Sequence, residues 1–189
     1  MRVRALTEHD IPAVLAINLA GYPHVSLLSY DEIAEMKSQG FRCWVCESIE
    51  GVIIGYIFAC QYPEDPKLPE YTGEAYLALQ NSIQAPFYYI DQVAVATSHR
   101  RQGIASILYR QVDQWAADNA FELLTCEVNM QPPNPDSMAF HQSLGFKVLK
   151  TISISDGTVV SLMAKELIPY NKSAQTRLPL IWEQEGKNF

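Results

Sequence analysis

Runs of apolar residues, broken by turn signals and switching between two periods, lay out an order of elements along this chain. Residues 3–6 read as a short strand. Thr7 then stands as a helix N-cap, with Asp10 three residues on and Pro12 in the first turn. Ile11, Val14, Leu15, Ile17 and Leu19 recur at helical spacing up to Gly21. A second helix is predicted from Ser29 or Asp31 to Lys37, stopped by Gly40. Two apolar runs, 41–49 and 52–60, are joined by Glu50-Gly51, a hairpin signal.

Residues 61–86 break the pattern. They carry Pro63, Pro66, Pro69 and Pro86, the acids Glu64, Asp65, Glu70 and Glu74, and a short helical stretch around 75–79. A long insertion of this kind is a lid or binding loop, or a solvated excursion with no role. The strongest strand follows at 87–96, FYYIDQVAVA. After TSHRRQGIAS a helix runs to about Asn119, with Ile104, Ile107, Leu108, Val112 and Trp115 as its buried stripe. Residues 121–128 form another strand, QPPNP a turn, and the next stretch a two-turn helix closing at Gly145. A final hairpin, 146–154 and 158–165, turns at Asp156-Gly157. The order β-α-α-β-β-(insert)-β-α-β-α-β-β predicts a mixed α+β sheet. We expect one domain over 1–168 and a tail over 169–189. The tail is loose, or packs through Leu178, Leu180, Ile181 and Trp182 on the domain or on a second copy, which leaves a homodimer open.

Composition narrows the function. The 189 residues are 48% hydrophobic and 19% charged, enough apolar content for a core. The net charge is −7, so a nucleic-acid binder, which needs a basic stripe, is not expected. No apolar run reaches the ~18 residues that span a bilayer, and the N-terminus lacks a signal-peptide core, so a cytoplasmic protein without membrane attachment is expected. Cys43 and Cys46 form CxxC, but FRCWVCESI reads as a strand, where positions three apart face opposite ways. No second Cys or His pair follows at zinc spacing. Buried thiols and no metal are expected.

The chemistry sits in VAVATSHRRQGIASILYRQV. A strand enters a loop rich in Arg and Gln, then Gly103, then a helix. The first helical amides have no intrahelical partner, and the dipole favours an anion over them. Gly103 lets backbone approach a bulky group closely, Ala105 keeps the next turn small, and Arg100 and Arg101 add cationic donors. The pattern predicts a phosphate or pyrophosphate cradle; an ordinary strand-to-helix turn with solvated arginines is its rival. Neither GxGxxG nor GxxxxGK[ST] is present.

Arg100-Arg101-Gln102-Gly103-Ile104-Ala105 resembles the [RQ]xxGx[GA] pyrophosphate loop of the GCN5-related N-acetyltransferases (GNAT). IDQVAVATSH resembles that family's fourth strand, and NPDSMAFHQSLGF its second signature. The resemblance is carried by residues 87–148. It implies the acyl-CoA N-acyltransferase fold, a mostly antiparallel central sheet of six to seven strands with about four flanking helices. It also implies acetyl-CoA as cosubstrate, lying in an opening between strands 87–96 and 121–128. Val93 and Val95 would pair with the pantetheine arm, and an amide near Val93 or Ala94 would polarise the thioester carbonyl. Amides from Arg101 through Ser106, spanning Gln102, Gly103, Ile104 and Ala105, would hold the diphosphate, with Arg100 beside them. Asn134 and Ser137 would contact the pantetheine arm or the adenylate end, and Phe140 and His141 complete this second segment. The implied activity is direct acetyl transfer to a primary amine of a small molecule, amino acid or peptide. A protein lysine or N-terminus is the alternative acceptor, and a lapsed acyl-CoA sensor the alternative class.

Three residues are candidates for proton transfer. The family often places a Tyr acid where this chain has His141, a departure that makes His141 either that acid or a structural side chain sharing its helix with core residues Phe140 and Leu144. Glu127 in LLTCEVN and Asp91 in YYIDQV are acids inside apolar strands and candidate bases. Strict alternation puts Tyr89, Asp91, Val93 and Val95 on one face. A water chain with no dedicated base is the remaining reading.

Overall fold

The computed structural model describes residues 1–61 and 73–167. Most of the insertion's Pro-rich half, and the tail after 167, lie outside the described residues, as do the expectations placed on them. Twelve elements are described: β1 (Arg2–Ala5), α1 (Ile11–Gly21), α2 (Tyr30–Ser38), β2 (Arg42–Glu47), β3 (Ile53–Cys60), α3 (Glu74–Gln80), β4 (Phe87–Val95), α4 (Ile104–Asp118), β5 (Leu123–Gln131), α5 (Pro135–Ser143), β6 (Lys147–Ser153) and β7 (Val159–Glu166). The expected order of strands and helices is present. About four helices were expected and five are found, because α3 inside the insertion makes a full helix. The strand order is β1-β2-β3-β4-β5-β7-β6, a seven-stranded sheet within the expected α+β class.

The described residues fall into two compact units, one of 1–61 with 89–114, the other of 73–88 with 115–167. In the first, β1, β2, β3 and most of β4 form an antiparallel ladder. Every residue of β3 is buried, so both of its faces are covered. Helix α1 packs on β3 and α2. It starts later than the sequence suggests, because Glu8–Asp10 first make a tight 3-10 turn. Ile11, Val14 and Ile17 form its buried stripe, while Leu19 is exposed rather than core. Ser29 caps α2, accepting from Glu32 N at 3.3 Å. The β2–β3 hairpin is shorter than the apolar runs, since Ser48 N donates to Val52 O at 2.8 Å and closes a wider loop.

An ionic cluster ties the first unit's N-terminus together. The Arg4 guanidinium grips Asp10 with both Nη atoms, at 2.6 and 2.8 Å, and donates from Nε to Glu47 Oε2 at 2.5 Å. Asp10 also accepts from the Thr7 amide and hydroxyl, each at 2.8 Å. By sequence Asp10 is only the reciprocal half of a cap. Its carboxyl is in fact held far below the ordinary range, first of all by Arg4.

In the second unit β7 runs antiparallel between β5 and β6. The start of β4 belongs here: Pro86 O accepts from Glu122 N at 2.9 Å and Leu123 N at 3.3 Å. Tyr88 meets Trp115 and Phe121 at ring-centroid distances of 4.7 and 4.9 Å. Tyr88 and Tyr89 are both buried. Helix α3 docks through Tyr76 against Phe87, 5.3 Å between centroids, and through Glu74, whose carboxylate accepts from the Ser155 amide and hydroxyl.

All four cysteines are free and buried. Cys43 and Cys46 sit on β2 with both strand faces covered, which is the expected reading of that CxxC string.

Candidate active site

The site begins at a bulge. The β3–β4 register pairs Phe58 with Gln92 but Ala59 with Ile90, so Asp91 is one extra residue on β4. The strict alternation expected for 89–95 therefore fails at Asp91. Beyond it, Gln92 and Ala94 are buried while Asp91, Val93 and Val95 are half-buried along the other face. A bulge bends and twists its strand locally. Here it falls just before Val93, Ala94 and Val95, which pair with Ile57, Tyr56 and Gly55 of β3.

Strand β4 ends in a tight turn at Thr97–His99, with His99 N donating to Ala96 O at 2.8 Å. Arg101 then takes φ 62° and Gly103 φ 80°, both left-handed, before α4 starts at Ile104. For Arg101, which has a Cβ, that conformation costs about 1 kcal/mol or more and is held by its surroundings. The first helical bond described is Ile107 N to Gly103 O at 3.1 Å. Among the described residues nothing accepts a hydrogen bond from the amides of 101 to 106. A Cβ on Gly103 would meet nothing within 4 Å, so the space over the turn is open. Gln102, Gly103, Ile104, Ala105 and Ser106 thus present main-chain donors at the positive end of a fifteen-residue helix.

Two features that hold this turn were not legible in sequence. A Cβ at Gly55 would approach Ile104 Cγ2 to 3.1 Å and Ala94 O to 3.2 Å, so a larger residue on β3 would need the start of α4 or β4 to shift by a few tenths of an ångström. Arg100 reaches main-chain carbonyls of β4 and α1. Its Nε donates to Val95 O at 3.3 Å and its Nη2 to Ala20 O at 3.4 Å. Along α4 itself Ile104, Leu108 and Val112 are buried as expected, while Tyr109 and Ala116 take core places expected of Ile107 and Trp115.

The second unit carries the other predicted residues. Glu127 is half-buried on β5, paired in register with Leu162 and flanked by buried Cys126 and Val128. Asn134 caps α5, its Oδ1 accepting from Ser137 N at 3.2 Å. Helix α5 inverts one expectation. Phe140 and Leu144 are only half-buried, and His141 is the buried residue, 3% exposed. The His141 ring meets Phe140 and Phe146 edge-on at 5.4 Å each. Its Nδ1 lies 2.7 Å from Ser137 O, a carbonyl that can only accept, so Nδ1 carries the proton and Nε2 is the acceptor of the neutral ring. Burial pushes the imidazole below its ordinary value, against the opposing pull of that carbonyl.

Residues 11–146 match the family model for the acetyltransferase (GNAT) family. The chain belongs to the GNAT acetyltransferase family. It is an N-acetyltransferase by that membership. Solved structures share its fold at low identity. A ribosomal-protein-alanine N-acetyltransferase from Brucella melitensis is 23% identical, with a TM-score of 0.65 over 88% of this chain and 100% of its own. Naa20 from Chaetomium thermophilum, in complex with a bisubstrate analogue, is 21% identical with a TM-score of 0.68, covering 88% of this chain and 87% of its own. A phosphinothricin acetyltransferase from Sinorhizobium meliloti, in complex with AcCoA, is 16% identical with a TM-score of 0.65, covering 88% of each chain. Among the described residues no helix is long and apolar enough to cross a membrane, and no cluster of metal-ligating side chains occurs.

Proposed function

We propose that this GNAT acetyltransferase moves the acetyl group of acetyl-CoA to a primary amine of a small molecule, amino acid or peptide. The observation that carries the reading is the row of amides from Arg101 to Ser106, without an acceptor among the described residues, over an open turn. Bound acetyl-CoA supplies an activated acyl carbon and a thiolate leaving group. The chain's part is to hold the diphosphate end on amides 101–106 and to align the thioester end along Val93, Ala94 and Val95. An amide near Val93 or Ala94 polarises the carbonyl by hydrogen bonding where negative charge develops. Asn134 adds a donor, since its Oδ1 is spent on the cap and its Nδ2 makes no hydrogen bond among the described residues. Ser137 and Phe140 are the remaining proposed cofactor contacts. Arg100 braces the turn and is a further proposed contact to the diphosphate.

The amine must lose a proton before it attacks. With an ordinary pKa near 10.4, its neutral form costs roughly 4–5 kcal/mol at pH 7. Glu127 is the proposed base and Asp91, at the bulge, its alternative. His141 with Nδ1 committed to Ser137 O accepts at Nε2, so it serves as acid to the departing thiolate only where an imidazolium forms, at low pH. That same observation favours a second reading, a CoA-binding sensor whose turnover has lapsed.

A screen of small amines, amino acids, peptides with free N-termini and lysine-bearing peptides, read by thiol release across pH, separates these readings. We expect release with at least one class. Glu127→Gln should lower kcat about a hundredfold near neutral pH and flatten its rise with pH. Gly103→Val should raise the acetyl-CoA KM more than about tenfold, because its side chain enters the space the diphosphate takes. Acetyl-CoA binding without release to any amine would establish the sensor instead.

A further inference from the structure

One buried polar network in the first unit has no part in the chemistry above. Asn18 on α1 is 1% exposed, Tyr56 on β3 0% and Gln92 on β4 8%. Asn18 Nδ2 shares its two protons among Ser26 O, Tyr56 OH and Gln92 Oε1 at 2.9, 2.9 and 3.0 Å. Tyr56 donates its hydroxyl proton to Gln92 Oε1 at 2.9 Å, and Gln92 Nε2 donates to Ser26 O, also at 2.9 Å. Leu28 N closes the set on Asn18 Oδ1 at 3.0 Å. Buried polar side chains of this kind are costly unless all are satisfied; here Asn18 and Gln92 both reach Ser26 O, and Tyr56 bridges those two side chains.

Ser26 lies in the connection between α1 and α2, whose surface shows Tyr22 and Leu27 half or more exposed. This connection is joined to β4, the strand that would hold acetyl-CoA, through Ser26 O, which takes Gln92, the neighbour of Val93. Just before the loop, Ala20 O in the last turn of α1 takes the Arg100 guanidinium. We infer that Asn18, Tyr56 and Gln92 are positioning residues that couple the 22–29 loop to β4, so that acetyl-CoA settling along β4 orders this loop. The inference rests on the cofactor reading above. Physically, a ligand that stiffens a strand also stiffens what the strand's buried side chains hold, and protection of the held segment rises without contact to the ligand.

Amide hydrogen exchange of residues 22–29, with and without saturating acetyl-CoA, tests this. In the wild-type chain acetyl-CoA should slow exchange in the loop about tenfold. Gln92→Met, close in volume but without the amide, should speed loop exchange in the free protein and abolish the response to acetyl-CoA. Acetyl-CoA affinity by calorimetry should fall by no more than about tenfold, the reciprocal of the lost loop protection. Tyr56→Phe, which removes one hydroxyl and no volume, should shift both readouts the same way and serves if Gln92→Met does not fold. A general loss of stability would speed exchange everywhere and leave the acetyl-CoA difference in place. If acetyl-CoA binds yet leaves loop exchange unchanged, or if Gln92→Met responds as wild type does, the coupling is overturned alone. Absence of acetyl-CoA binding to the wild-type chain would overturn the cofactor reading together with it.

Discussion

His141 shows how much one side chain's setting governs its chemistry. Alignment puts it where the family often has a tyrosine, and its ordinary pKa suits an acid near neutrality. Yet it is the buried residue of α5, packed between Phe140 and Phe146, with Nδ1 tied to its own helix. Burial favours the neutral ring in the folded state. The unfolded chain therefore binds a proton at higher pH than the folded one. His141's contribution to stability is full above its unfolded value near 6.5 and is lost as pH falls through the lower folded value. Denaturant unfolding between pH 7.5 and 5 should show this decline in the wild type and a flatter course in His141→Phe. At this scale the sequence named His141, Glu127, Asp91 and the 100–106 residues, because each type is unusual where it stands. It did not reveal that Arg100 turns back onto Val95 and Ala20, since a side chain's direction is set by what surrounds it.

Between neighbouring elements, the Arg4–Asp10–Glu47 cluster pins the entry of α1 to β1 and β2. The Asp10 side chain is 8% exposed and that of Arg4 27%, so solvent screens this pair less than a surface bridge. Arg4→Met leaves Asp10 without its main partner, at a cost of about 2–3 kcal/mol. For a chain of this size that is a Tm lower by roughly 5–10 °C in thermal unfolding at pH 7. The acid side fixes the sign. Asp10's folded pKa is depressed, so its stabilisation is present above the ordinary carboxylate value and vanishes as pH falls. The gap between variant and wild type should narrow below about pH 4. The elements themselves were legible because period and turn residues are local: Gly40, Gly51, Gly145 and Gly157 all adopt the positive φ their places predict. The ends of the β2–β3 hairpin and the bulge at Asp91 were not, because pairing with a partner strand decides them.

Across the whole molecule, four thiols report on opening. All are buried. Burial pushes Cys43 up to about 12 and raises Cys46 and Cys126 as well. A thiolate-specific disulfide reagent at pH 8 should label the native chain at least about a hundredfold more slowly than the denatured chain. Equal rates would show that the cores around β2, β3 and β5 are not closed as described. By itself the sequence determined the order of strands and helices, the family, and the turn from β4 into α4, because hydrophobic period, glycine placement and a short motif act within a few residues of one another. Only tertiary structure decided which side chains those amides, acids and imidazole keep as neighbours. Burial, register and hydrogen-bond partners come from residues far apart in the chain, as Asn18, Tyr56 and Gln92 do around Ser26.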